Sequence, residues 1–258
     1  MIRLASENSS GLVILFALNE LPALKQLMKR KVPDDWSILV FDGRSTDGSQ
    51  QWLTNNGVNW FEQQSSQGKG NAVREFFSET KKMNYSYYAF MDADCTCLFS
   101  DLPKLKNQLI ATCSDIVIGT RMKGNQEPGS MNLVSRVANH LASKVLSLRW
   151  LKKHSDVQSP FWLFTKKAVE QLQPHLKARY FEIELEMYME GMKNGLKIDE
   201  TPIHYRKRVG YSKFKLRYRF RNIYFVYYYF ITSLNLHKGI LILFFIFSLL
   251  APFLIQLR

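Results

Sequence analysis

Two carboxylates separated by one residue follow an apolar run near the middle of the sequence. Residues 87–91 are apolar or aromatic, and Asp92 and Asp94 come directly after them. The pattern predicts a buried strand with carboxylates at its tip. Ligands of open α/β sheets bind outside the carboxyl ends of the strands, so this pair is placed to meet a phosphate-bound cation. Because Asp also favours turns, a strand followed by an Asp-rich turn is the structural alternative.

Segments of strand and helix character alternate on both sides of this pair. Strands are predicted at residues 12–16, 37–41, 58–61, 87–91, 115–119, 161–164 and 196–203. Helices are predicted at residues 21–30, from about 47 onward, and at 67–82, 102–111, 133–148, 166–172 and 182–193. Strands that alternate with helices predict an α/β fold with a mostly parallel sheet flanked by helices.

One of these helices carries a regular apolar stripe. The apolar residues Leu133, Val137, Leu141, Val145 and Leu148 recur at helical spacing, which predicts an amphipathic helix. Arg136 and Asn139 lie on other faces of this helix. Residues 124–129 before it contain two Gly and one Pro and are predicted to form a loop.

The positive charge is concentrated at the C-terminal end. The formal net charge is +13, yet residues 1–200 hold 25 basic against 22 acidic side chains, whereas residues 201–258 hold ten basic and no acidic ones. This argues against a general nucleic-acid binder and for an anionic surface met by one end of the molecule. Cys95, Cys97 and Cys113 match neither a disulfide framework nor a zinc site, which favours a reducing, cytosol-facing environment.

The C-terminal region divides into two segments. Residues 239–257 are 19 residues without a charge and predict a transmembrane helix, with a buried core helix as the alternative. Residues 213–236 mix basic and aromatic side chains and predict a membrane-interface segment, although their early period-two alternation is also compatible with a strand. Residues 1–212 then form the soluble domain. By the positive-inside rule, this single-pass arrangement places the domain on the cytoplasmic side.

Several motifs occur in a characteristic order. Asn19 and Glu20 follow the first predicted strand, DGRSTDG follows the second at residues 42–48, GKG occupies residues 68–70 and DAD residues 92–94. In this order they resemble the family-2 glycosyltransferases with the GT-A fold. The later motifs EIE at 182–184, ETPI at 200–203 and RVGYSK at 208–213 resemble the dolichyl-phosphate mannosyltransferase and polyprenyl-phosphate glycosyltransferase branch. The resemblance covers residues 12–213.

The resemblance implies an enzyme of defined chemistry. It implies an inverting, metal-dependent transferase that moves a hexose from a nucleotide-sugar, of the GDP-mannose or UDP-glucose type, to a polyprenyl monophosphate of the dolichyl type at the cytoplasmic face of a membrane. Two alternatives remain open. One is a family-2 transferase acting on another lipid or glycan acceptor, and the other is a membrane-tethered scaffold that binds nucleotide-sugar without turnover.

The same resemblance implies roles for individual residues. The donor nucleotide site would comprise Asn19, Glu20, Asp42, Asp47, Lys69 and Asp92. Asp92 and Asp94 would bind Mg²⁺ or Mn²⁺, which suit oxygen ligands. The catalytic set would comprise Asp94, Arg208, Lys213 and Asp156, and the acceptor phosphate would meet Arg121 and Arg136. For Arg136, a solvated helix face is the structural alternative.

The chain departs from the family pattern at two positions. Thr96 stands where mannosyltransferases of this branch often carry a metal-holding Gln, which leaves the third protein ligand open. Pro160 replaces Gly in the segment that begins at Asp156, which favours an ordering role for that carboxylate over a chemical one. An acceptor phosphate is ionised at neutral pH and requires no general base.

Two related enzyme classes fit less well. A dinucleotide-dependent oxidoreductase would carry its glycine fingerprint after the first strand, where residues 17–20 read ALNE. A processive polysaccharide synthase would carry a Gln-x-x-Arg-Trp signature, but Leu146 occupies the Gln position before Arg149 and Trp150.

Overall fold

The computed structural model describes residues 10–232 as one sheet flanked by helices. Its strands are β1 (Gly11–Ala17), β2 (Trp36–Asp42), β3 (Trp60–Glu62), β4 (Tyr87–Asp92), β5 (Ile116–Thr120), β6 (Phe161–Thr165) and β7 (Ile198–Pro202). Within these residues they are arranged in the order β3-β2-β1-β4-β6-β5-β7. The predicted mostly parallel α/β sheet is therefore confirmed.

The central strands are apolar on both faces because helices cover both sides of the sheet. Leu12 and Ile14 of β1 belong to one core cluster, whereas Val13 and Leu15 belong to the other, and all four are fully buried. Such continuous apolar runs are typical of parallel strands buried on both faces. The sheet therefore forms a rigid base for the loops at its edge.

One strand runs against the others. β6 pairs antiparallel with β4 and with β5, and lies between them. The remaining pairs are parallel. The segment before β6 thus enters the sheet at the edge where β4 and β5 end, which brings Asp156 to that edge.

The helices are α1 (Leu21–Leu27), α2 (Ser49–Asn55), α3 (Lys69–Glu79), α4 (Leu102–Thr112), α5 (Leu133–Arg149), α6 (Lys166–Leu172), α7 (Ile183–Lys193) and α8 (Leu216–Thr232). Each predicted helix up to residue 193 is present, with ends that differ by a few residues. β3 begins two residues later than the prediction, at Trp60.

The amphipathic helix α5 has an unusual orientation. Its buried side chains are Asn139, Ser143, Leu146 and Ser147. The apolar stripe recognised in the sequence faces outward instead, with Leu133 as its most exposed helical member at 72%. The periodicity of the sequence identified the stripe correctly, but in the folded protein the stripe points away from the core.

Residues 216–232 are helical, so the strand alternative for this part of the basic segment is wrong. α8 is tied to the end of the loop before α7, where Arg221 Nε lies 2.8 Å from Glu182 Oε1 and Asn222 donates to the Phe181 carbonyl at 3.1 Å. Across residues 10–232, no helix combines the length and apolarity needed to cross a bilayer. The predicted span at residues 239–257 lies outside the described residues.

Candidate active site at the carboxyl edge of the sheet

Three neighbouring strands deliver polar residues to one edge of the sheet. β1 lies between β2 and β4, with Ala17 opposite Asp42 and Phe16 opposite Asp92. The strands are parallel, so their carboxyl ends coincide, as expected for ligand sites in such sheets. The residues just beyond these ends, including Glu20 and Asp94, therefore share this edge.

Lys69 joins Asp92 to a second carboxylate. Its Nζ lies 2.6 Å from Asp92 Oδ1 and 2.5 Å from Glu184 Oε1, with the lysine and glutamate side chains largely buried. Burial disfavours the ammonium ion, but the two carboxylates outweigh this effect and raise the pKa of Lys69. Burial also raises the pKa of Glu184, against the opposing influence of Lys69. The first residue of α3 thus supplies a fixed positive charge beside the tip of β4.

Asp94 is buried and held from two sides. Thr96 donates to Asp94 Oδ1 from its backbone N at 3.0 Å and its hydroxyl at 2.6 Å. Arg208 donates to Oδ2 from Nε at 3.1 Å and also from Nη2. Burial opposes ionisation of Asp94, but Arg208 and Thr96 more than offset it and lower its pKa. Asp94 is therefore a carboxylate at neutral pH.

Glu20 is paired with the other cation of the RVGYSK motif. Lys213 Nζ lies 2.5 Å from Glu20 Oε1 and donates to the Asn19 carbonyl at 3.0 Å. Burial raises the pKa of Glu20, and the hydrogen bond from Lys213 acts against that rise. Gly210 has φ +88° and lies so close that a Cβ would be 3.3 Å from Glu20 Oε2, so the turn between Arg208 and Lys213 requires glycine.

Backbone hydrogen bonds fix this C-terminal segment over the strand tips. Arg206 N donates to the Thr96 carbonyl and Val209 N to the Asp94 carbonyl, each at 2.9 Å. Arg208 is thereby aimed at Asp94 across 114 residues of sequence.

The predicted donor residues after β2 form a connected loop. Asp42 is fully buried and accepts hydrogen bonds from Ser45 N at 2.8 Å, Ser45 Oγ at 2.6 Å and Gln50 Nε2 at 2.8 Å. Asp47 accepts from Leu21 N at 2.8 Å and from Ser49 Oγ at 2.5 Å.

Asn19 ties this loop to the end of β1. It has φ +51°, a left-handed conformation that Asn tolerates, and its side chain accepts from Thr46 N at 2.7 Å. The two motifs recognised separately in the sequence are therefore one hydrogen-bonded unit.

A second cluster surrounds Asp156. Its carboxylate accepts hydrogen bonds from Arg121 N, Nε and Nη2 at 2.7–2.8 Å and from Asn139 Nδ2 at 2.6 Å. The Asp156 side chain is fully buried and that of Arg121 is 10% exposed. The Arg121 guanidinium also lies over the Tyr205 ring, 5.2 Å from its centroid. Burial disfavours this cation, but Asp156 outweighs the penalty and raises its pKa.

Arg136 reaches the same region from α5. Its side chain is exposed, and Nη2 donates to Gln126 Oε1 at 2.5 Å, while Gln126 Nε2 donates to the Arg121 carbonyl at 2.7 Å. The structure therefore brings Arg121 and Arg136 together through the 124–129 loop. Arg121 is engaged internally, whereas Arg136 faces solvent.

The oxygen ligands at the tip of β4 suit a hard divalent cation. Asp92 and Asp94 supply carboxylate oxygens, the ligands that Mg²⁺ and Mn²⁺ prefer. Among residues 10–232, no group of three His, Cys, Asp or Glu side chains converges as a complete cage. Two carboxylates fit a cation whose remaining ligands are water and substrate phosphate, which is the usual arrangement for Mg²⁺.

Sequence reasoning missed several members of the site. Thr96 was noted only as a departure from the family pattern, yet it orients Asp94. Asn139 was placed only on a face of the helix other than the apolar stripe, yet it binds Asp156. Glu184 was part of the EIE motif but had no assigned role, and only the packing of α7 reveals its contact with Lys69.

Comparison with known proteins identifies the family of this chain. The profile described as glycosyl transferase family 2 matches residues 12–173. The chain belongs to this family. The match runs from β1 through α6 and includes both the 42–48 loop and the Asp92–Asp94 pair.

Curated relatives are similar to most of this chain. The low-salt glycan biosynthesis hexosyltransferase Agl6 of Haloferax volcanii is 31% identical over 204 residues, 77% of this chain and 48% of that protein. The dolichyl-phosphate beta-glucosyltransferase of Saccharomyces cerevisiae is 23% identical, covering 78% of this chain and 65% of that protein. The chain thus spans about half to two thirds of these relatives.

A solved structure supports the fold. Glucosyl-3-phosphoglycerate synthase from Mycobacterium tuberculosis, crystallised with Mn²⁺, UDP-glucose and phosphoglyceric acid, superposes with a TM-score of 0.67 at 16% identity. The superposition covers 89% of this chain and 81% of that one.

Proposed function

We propose that this protein transfers a hexose from a nucleotide-sugar to a polyprenyl monophosphate at the cytoplasmic face of a membrane, with inversion at the anomeric carbon. The observation that carries the proposal is the convergence of Asp92, Asp94, Arg208 and Lys213 at the edge where β1, β2 and β4 end. The two carboxylates can hold a divalent cation, and the two basic side chains can stabilise negative charge. Both suit a substrate that contains a diphosphate.

The chemistry places specific demands on this edge. An oxygen of the acceptor phosphate forms a bond to the anomeric carbon while the bond from that carbon to the nucleoside diphosphate breaks. Negative charge grows on the leaving diphosphate and must be stabilised by preorganised cations. Arg208 and Lys213 are held at the strand tips for this purpose. A divalent cation held by Asp92 and Asp94 would supply further charge neutralisation to the same group.

The donor nucleotide is assigned to the loops after β1 and β2. Asn19, Glu20, Asp42 and Asp47 lie in one hydrogen-bonded unit beside the metal carboxylates. The base is not defined by these residues. Thermal stabilisation by GDP compared with UDP, each with Mn²⁺, would identify it, because only a ligand of the folded state raises the unfolding temperature.

The acceptor is assigned by chemistry and by relatives. The Saccharomyces cerevisiae relative is named as a dolichyl-phosphate glucosyltransferase, and a Methanococcus voltae relative as an N-acetylglucosaminyltransferase acting on dolichyl phosphate. Arg136 provides a solvent-facing cation near the site, and Arg121 supports it through Gln126. In this proposal Asp156 orders Arg121 and does not accept a proton, because the acceptor is already ionised.

The test is a transfer assay with radiolabelled nucleotide-sugar, polyprenyl phosphate and Mn²⁺. We expect label to appear in the lipid fraction. Binding of the donor without labelled lipid would support the scaffold alternative, and label on another lipid or glycan would change the acceptor. Protease added to sealed right-side-out vesicles should spare the catalytic domain, and its digestion would reverse the proposed orientation.

A further inference from the structure

The apolar stripe of α5 faces away from the protein core. Leu133, Leu141 and Leu148 are 72%, 57% and 66% exposed, although each is a large aliphatic side chain. The side of α5 that faces the core is formed mainly by Asn139, Ser143 and Ser147, with Leu146. A helix that buries small polar residues and exposes leucines has its apolar face directed at something other than its own core.

Half of the large hydrophobic side chains that are exposed among the described residues lie on α5. The large hydrophobic side chains exposed there are those of Ile110, Leu133, Val134, Val137, Leu141, Leu148, Leu151, Tyr211, Tyr224 and Tyr228. Five of them lie on α5 itself and Leu151 follows its end. Two others, Tyr224 and Tyr228, lie on α8, which packs beside α5 with Arg219 near Ser135. The exposed apolar residues are therefore concentrated on two adjacent helices.

The acidic and basic side chains of the segment that carries the stripe are all of one sign. Residues 128–155 contain no Asp or Glu, and their basic side chains are Arg136, Lys144, Arg149, Lys152 and Lys153. All five of these basic residues are exposed. A basic side chain close to an anionic bilayer contributes about 1 kcal/mol of attraction. The stripe and its basic border match a helix that lies in the plane of a membrane interface.

We propose that the outer face of α5, continued by α8, embeds in the headgroup region of an anionic bilayer. A second copy of this chain fits poorly as the occupant, because a symmetric contact would bring two borders of like charge together. Lysine is also less frequent at protein–protein interfaces than on the rest of the protein surface. The inference rests on the proposed function only in placing the acceptor phosphate beside Arg136, which lies on α5 next to the stripe.

The test places a probe on the stripe in the full chain. Cys113 is exposed whereas Cys95 and Cys97 are buried, so Cys113→Ser leaves a background suitable for single labelling. A bimane fluorophore is attached at Leu141→Cys, and the matched control is Ile110→Cys, because Ile110 on α4 is 53% exposed. Both proteins are reconstituted in bilayers of equimolar phosphatidylcholine and phosphatidylglycerol, with or without doxyl-labelled lipid.

We expect doxyl lipid to remove most of the fluorescence at position 141 and little at position 110, whereas aqueous iodide should do the opposite. Equal responses at the two positions would overturn the proposal. The comparison between two sites of one chain removes any contribution from an anchor elsewhere in the protein.

A kinetic arm separates this inference from the proposed function. Leu141→Asn combined with Leu148→Asn should raise KM several-fold for a long polyprenyl phosphate embedded in the bilayer. It should leave KM unchanged for a short, water-soluble prenyl phosphate. If the wild type glycosylates neither acceptor while the probe at position 141 is quenched by lipid, the proposed function fails and the membrane face stands. Transfer to both acceptors without quenching overturns the membrane face alone.

Discussion

Replacing Asp156 with Asn distinguishes an ordering role from a chemical one. In the structure, Asp156 is the sole carboxylate bound to the Arg121 guanidinium, among the described residues, and it also accepts from Asn139. The substitution keeps the side-chain volume and removes the negative charge. Arg121 is then a buried cation without a counter-ion. Removing only one partner of a buried ion pair is strongly destabilising because the remaining charge is uncompensated.

The expected cost follows from that burial. Removing one partner of a buried pair typically destabilises a protein by about 3–5 kcal/mol. For a domain of this size each kcal/mol lowers the unfolding temperature by about 2–4 °C, so the midpoint should fall by roughly 6–20 °C. The measurement is thermal unfolding of the full chain in matched detergent, followed by intrinsic fluorescence.

A double variant isolates the cause. Adding Arg121→Met removes the orphaned cation, so Asp156→Asn with Arg121→Met should be more stable than Asp156→Asn alone. Glu127→Gln breaks the more exposed pair with Arg206 and should change the midpoint much less. If Asp156→Asn unfolded at the wild-type temperature yet lost transfer, Asp156 would act on substrate directly and the reasoning would be refuted.

Three further outcomes are expected. Asp94→Asn should reduce labelled lipid to background with only a modest shift in unfolding temperature, and wild-type turnover at saturating Mn²⁺ would remove Asp94 from the metal site. Glu184→Gln leaves Lys69 with Asp92 as its carboxylate partner, so half-maximal transfer should require several-fold more Mn²⁺. An unchanged Mn²⁺ titration would contradict this expectation. Burial lowers the pKa of His154, so its neutral form is favoured in the fold and stability should fall as pH drops below the ordinary value of 6.5. The loss of urea resistance between neutral and mildly acidic pH should therefore be smaller in His154→Gln than in wild type, and equal losses would exclude this contribution.

Local sequence pattern was sufficient for the elements of the sheet and for the position of Asp92 and Asp94 at its edge. Apolar runs with helices between them predict parallel strands, and the carboxyl ends of parallel strands meet at one edge whatever the details of packing. Glu20, Asp42 and Asp92 could therefore be placed together from their positions after three predicted strands. The resemblance added Arg208 and Lys213, which lie too far along the chain for any local pattern to connect them with that edge.

Contacts between distant segments were decided by tertiary packing. Lys69 contacts Glu184 and Arg121 is buried on Asp156, although neither pair has a signal in spacing or composition. These pairs depend on how α7 and the segment before β6 approach the sheet. A motif can indicate that a charged residue is present, but its partner is set by the packing of elements remote in sequence.

The orientation of α5 shows the same division most clearly. Periodicity identifies an apolar stripe on a helix, and it is identical whether the stripe faces a core or a membrane. Only the fold shows that Asn139 and Ser143 face inward, where Asn139 Nδ2 donates to Asp156 and Ser143 Oγ accepts from Val157 N, while Leu141 faces out. The physical reason is that amphipathicity separates two sides of a helix, whereas the surroundings of each side are determined by the rest of the chain.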